Sequence, residues 1–190
     1  MILGRAIYII LILAIIPIFS CAPLKISVLS SAKLAVKLYE ANDVILESKN
    51  WIATLKKDQT YLGSATIRLK RVESSFGGLT DEELVEFRDV VRIMEHAAKE
   101  SFGATHLNWS CLMNHGYRTW PLPIALVHIH FHPRYMQQTI VFNELTFVDE
   151  KPTEHYKAYT YREVPNATRK AIIQAYQNEI LKIKPELIQK

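Results

Sequence analysis

Val127-His128-Ile129-His130-Phe131-His132-Pro133-Arg134-Tyr135 is the stretch that decides the fold. Side chains alternate across a β-strand, so this run puts His128, His130 and His132 on one face and Val127, Ile129 and Phe131 on the other. The apolar face seeks a core and the imidazole face carries chemistry. Three of the seven histidines fall within these positions. Each has an ordinary pKa of roughly 6.5 and would repel its neighbours if charged, so the row is best kept neutral around an anion or a metal ion. Neutral imidazoles donate to phosphate oxygens, and one of them can attack phosphorus as a nucleophile.

Working outward, the hairpin partner of this strand is Ala104 to Met113, which carries Asn108 and Ser110 on its polar face. The loop from Asn114 to Pro123, rich in turn residues, joins the two. Upstream, Thr80-Asp81-Glu82-Glu83 is a capping box that opens a long helix ended by Gly103, with Leu84, Phe87, Val91, Met94, Ala98 and Phe102 as its apolar stripe. Short β-prone runs at Val44 to Leu46, Trp51 to Leu55 and Tyr61 to Leu69 precede it. Gln138 to Phe147 reads as one further strand, and Pro165 to Lys184 as a terminal helix with Ile172, Ile173, Tyr176, Ile180 and Ile183 inward. Strands in short antiparallel succession with helices apart from them predict an α+β fold: a sheet of about five strands, a long packing helix and a C-terminal helix.

Residues 1–24 form a hydrophobic segment that reads as a signal or an anchor, 25–42 a linker helix, and 43–190 the globular domain. The apolar run from Ala6 to Phe19 has Arg5 before it and Lys25, Lys33 and Lys37 after it, a bias that places the domain in the cytoplasm of a membrane-anchored protein. Ile18-Phe19-Ser20-Cys21 offers a lipoprotein alternative. A start site downstream of the run would instead leave the protein cytoplasmic. The net charge of +4 is spread without a basic run, which argues against a nucleic-acid partner and leaves small anions as ligands. Cys21 and Cys111 sit in surroundings too different to suggest a structural disulfide.

Read with its flanks, the histidine stretch resembles the signature of the histidine-triad (HIT) nucleotide hydrolases and transferases, in which His-x-His-x-His is followed, after a two-residue spacer, by Pro-Arg. Counting back from Pro133-Arg134 puts the last triad histidine on His130, the middle one on His128, and the first on position 126, which is leucine. The alternative register, His128-His130-His132, leaves no spacer. The basic-basic-His turn of the family is also incomplete, since Val72 follows Lys70-Arg71.

The resemblance implies attack on the α-phosphate of a nucleotide conjugate or dinucleoside polyphosphate through a nucleotidyl-histidine intermediate, with no cofactor. His128 would be the nucleophile and His130 a phosphate donor. Asn114, Asn108 and His132 would be substrate-binding, His132 about 7 Å along the strand from His130. Homodimerisation is frequent in the family. Two alternatives stand beside this one. The protein would be a nucleotide-binding relative with little or no turnover, because Leu126 and Val72 each remove a donor. Or it would be a metal-binding histidine strand, although no cysteine or carboxylate stands at a convincing spacing for a further ligand.

Overall fold

The computed structural model describes residues 43–113, 126–137, 139–156 and 160–188. The apolar segment, the linker helix and Asn114 all lie outside these residues. Among the described residues no helix is long and apolar enough to cross a membrane.

Five strands, β1 (Val44–Glu47), β2 (Trp51–Leu55), β3 (Ala65–Leu69), β4 (His106–Ser110) and β5 (His128–Arg134), form an antiparallel sheet in the order β1-β2-β3-β5-β4. The histidine strand is thus flanked on both sides, by β3 and β4. Register follows from the alternation: Ile67 pairs Ile129 and Trp109 pairs Phe131 on the core face, while Thr66 pairs His130 and Arg68 pairs His128 on the other. Val127, Ile129 and Phe131 are buried, as the alternation predicts. Phe131 lies against Trp109 with ring centroids 4.3 Å apart.

Helix α1 (Asp81–Phe102) forms where expected. Thr80 Oγ1 accepts from the Glu83 amide, the Glu83 carboxylate accepts from the Thr80 amide, and Gly103 closes the helix in the left-handed region. Its buried stripe differs from the predicted one: Val90, Ile93, Met94, Ala97, Ala98 and Phe102 face inward, whereas Leu84 is 40% exposed. Glu83 takes the inward position in the first turn because Arg71 grips both its oxygens at 2.6 and 2.9 Å. That guanidinium, more than any other neighbour, holds the Glu83 carboxyl down to about 2. Helix α2 (Asn166–Ile183) packs on α1 and β1 through Ile172, Tyr176 and Ile180, all buried, leaving Ile183 outside.

Two strand expectations are corrected. Tyr61 to Ser64 is a turn, and β3 begins at Ala65. The buried Gln59 side chain bonds the Lys56 and Ser64 carbonyls and the Gly63 amide, while the Tyr135 and Tyr176 hydroxyls donate to the Leu62 and Gly63 carbonyls. These bonds take the backbone groups that a strand would have used. Gly63 is also at φ +80, with Tyr176 Oη 2.7 Å from where a Cβ would stand. The further strand expected over Gln138 to Phe147 is, from Thr139 on, a hairpin of β6 (Thr139–Phe142) and β7 (Leu145–Val148), turned by Asn143 and Glu144, both at positive φ.

Candidate active site

The face of the sheet opposite the helices carries Thr54 from β2, Thr66 and Arg68 from β3, and His128 and His130 from β5. Together with Asp43, Lys56, Lys57, Asp58 and Tyr161 they line a cleft of about 430 Å³. The His128 and His130 rings meet edge to face at 4.9 Å. Asn108 and Ser110 of β4 pair with His132 and His130, so they belong to the same face.

His128 Nδ1 lies 2.7 Å from the Leu126 carbonyl oxygen. A carbonyl only accepts, so Nδ1 carries the proton and the lone pair of the neutral ring is on Nε2. A main-chain bond thereby fixes both the tautomer and the orientation of this imidazole.

His132 is placed otherwise. It is 4% exposed, stacked on Tyr156 at 4.5 Å, and its ring lies 6.2 Å from that of His130, near the expected spacing. Its Nε2 faces Lys56 Nζ at 3.5 Å, and its Nδ1 faces Ser64 Oγ at 3.2 Å. An ammonium only donates, so Nε2 accepts and Nδ1–H donates to Ser64 Oγ, which in turn donates to the Tyr61 carbonyl at 2.8 Å. Burial first, then the Lys56 and Arg134 charges, push the His132 imidazole down to about 3. His132 is therefore a neutral residue at the inner end of the row.

The cleft is cationic on balance, because its carboxylates are already engaged. Asp43 pairs with Arg169 at 2.7 Å, and Asp58 Oδ1 accepts from the Thr60 amide and hydroxyl and from the Arg162 amide. Lys56 and Lys57 add positive charge to the cleft lining, and Arg68 beside them donates to Thr54 Oγ1 at 2.9 Å. Arg71, in the turn where the family's further histidine is absent, is committed to Glu83, Glu73 and the Gly78 carbonyl. Among the described residues no group of three or more His, Cys, Asp or Glu side chains is arranged to hold a metal ion.

The sequence pattern brings His128 and His130 together as expected and puts Asn108 on their face. It does not find Lys56, Lys57 or Tyr161, which come from loops at the ends of β2 and before α2. Arg68 was in reach: it stands two positions after Thr66 in an alternating strand.

No protein-family model matches the chain, and no curated protein matches it in sequence. Solved structures do match its backbone. A hypothetical histidine triad nucleotide-binding protein from Sulfolobus tokodaii is 16% identical, covering 84% of this chain and 99% of that one at a TM-score of 0.52. A histidine triad protein from Sinorhizobium meliloti is 12% identical over 76% and 93% of the two chains, with a TM-score of 0.57. Another, from Marinobacter aquaeolei, is 14% identical over 75% and 93%, at 0.56. Likeness of backbone at such low identity agrees with the strand order: the chain has the histidine-triad fold.

Proposed function

We propose that the cleft binds a nucleotide by its phosphates and that the chain cleaves it at the α-phosphate, as a hydrolase or nucleotidyl transferase. The observation that carries this reading is the bond from His128 Nδ1 to the Leu126 carbonyl, which leaves an oriented lone pair on Nε2 in a cleft walled by cations. His128 Nε2 attacks phosphorus, the bond to the leaving oxygen breaks, and its electron pair stays with the leaving group. Water then attacks the same phosphorus, and the bond from phosphorus to Nε2 breaks with its electron pair returning to the imidazole. The proton lost by the water passes to the leaving group or to solvent, so that His128 is again neutral. His130 donates to a phosphate oxygen, where a preorganised donor is worth a few kcal/mol as charge develops. Tyr161, 64% exposed on the rim, offers a flat face for a base. Asn108, on the same face, and Asn114 are assigned to substrate binding.

A second reading, a nucleotide-binding protein without turnover, is favoured by two observations. Position 126 is leucine, and His132, the imidazole nearest to a replacement, is buried behind Tyr156. Loss of one such donor costs on the order of a hundredfold in rate. Trapping label on the protein from an α-labelled dinucleoside polyphosphate separates the two. Wild type is expected to take label, His128→Ala none, and His130→Ala less. Label kept by His128→Ala and lost by His130→Ala overturns the assignment of the nucleophile. A wild type that binds nucleotide but takes no label and yields no product supports the second reading.

The proposal extends to a membrane attachment through Ala6 to Phe19 with the domain on the cytoplasmic side, supported by the lysines that follow the run. Recovery of the full-length protein wholly in the soluble fraction of its host overturns it.

A further inference from the structure

Lys56 stands out among the cations of the cleft. Its ammonium is partly buried, it lines the same cavity as His128 and His130, and among the described residues no ion pair involves it. Nζ faces the neutral His132 imidazole at 3.5 Å, near the long limit of a hydrogen bond. Burial lowers the Lys56 pKa, and the Asp58 charge opposes that only in part. A buried charge held by a neutral acceptor is incompletely satisfied until an anion arrives.

The surroundings hold this arrangement in place. Gln59 and Arg169 both bond the Lys56 carbonyl, at 2.8 and 2.9 Å, which pins the backbone from which the side chain extends. His132 is fixed from its far side by Ser64, whose hydroxyl is itself spent on the Tyr61 carbonyl. Protonating His132 would set two cations against each other, so the same contact that holds Lys56 keeps the imidazole neutral. Leu126 lies at the opposite end of the histidine row.

We infer that Lys56 is an anion-binding residue of the cleft, and that His132 is the positioning residue that presents its ammonium to a phosphate. That the anion is a nucleotide's phosphate rests on the function proposed above; that Lys56 binds an anion does not.

The test uses the full-length chain in mild detergent, titrated calorimetrically with inorganic pyrophosphate and with ADP. Lys56→Met is expected to weaken pyrophosphate binding about tenfold or more, the value of one charge-assisted contact. Lys56→Arg should stay within about threefold of wild type, since it keeps the charge. His132→Phe should weaken binding, His132→Gln, which retains an acceptor, should weaken it less, and His132→Phe with Lys56→Met should be no worse than Lys56→Met alone. Carbon-13 spectra of the Lys56 ε-methylene should show its pKa rising when pyrophosphate saturates the site, a response that a purely structural lysine would not give. Wild-type affinity in Lys56→Met overturns the inference, and if ADP still binds, the nucleotide reading survives it. Additive losses in the double variant overturn the role of His132. Binding of pyrophosphate without ADP removes the nucleotide reading and leaves Lys56 to be judged on pyrophosphate. A wild type that binds neither overturns both.

Discussion

Removing the carboxylate of Asp149 should destabilise the protein far more than any change on its surface. Arg134 closes β5 and is 1% exposed; Asp149 is 2% exposed. Arg134 Nε and Nη2 each meet one Asp149 oxygen at 2.8 Å, and the Tyr135 amide donates to the same carboxylate at 3.1 Å. In Asp149→Ala the guanidinium keeps the Lys151 and Glu154 carbonyls, at 2.6 and 2.8 Å, and the face of the Tyr61 ring at 4.6 Å, none of which carries a full negative charge. A full positive charge is then left buried without a counter-charge, which costs roughly 3–5 kcal/mol. At about 2–4 °C per kcal/mol for a chain of this size, the midpoint should fall by roughly 6–20 °C. Thermal and urea unfolding followed by circular dichroism measures it. The paired replacement Arg134→Met with Asp149→Leu should cost less than Asp149→Ala alone, because it leaves no orphaned charge. A loss under about 1 kcal/mol in Asp149→Ala, with the native fold retained, would refute the view that this pair anchors the end of the histidine strand.

Phe131→Asp should abolish folding, since residue 131 is fully buried against Trp109; a soluble, cooperatively unfolding variant would mean that the two faces of β5 are reversed. His132 should not titrate in proton spectra between about pH 8 and 4, because its imidazole is held down to about 3. The unfolded chain takes up that proton near its ordinary value of 6.5 and the folded chain does not, so the His132 contribution to stability is present above pH 6.5 and is lost as pH falls toward 3. A His132 resonance titrating near pH 6.5 would contradict its burial behind Tyr156.

Alternation and capping were legible because they are local. The apolar residues of β5 and the Thr80–Glu83 box each specify their structure within a few positions, and the structure follows them. The buried position of Glu83 was not legible, because the side chain that makes it tolerable, Arg71, comes from the preceding loop. The hairpin at Asn143 had a signal, an asparagine able to adopt positive φ, but Glu144 beside it is a residue that rarely does so. In the cleft, periodicity found the histidines. Lys56 and Tyr161 stayed hidden, since they meet the histidine row only after β2, β3 and β5 are side by side and the segment before α2 has folded back.

The brace that Arg169 supplies from α2 bears on the protein as it is made. Arg169 grips Asp43 and the carbonyls of Leu55 and Lys56, and it lies 113 positions beyond Lys56 in the chain. During synthesis every histidine of the row has been polymerised well before the arginine that braces the cleft wall. A nascent chain therefore passes through a stage with its whole histidine strand and an unbraced rim, and a message truncated before α2 would encode a protein in that state permanently.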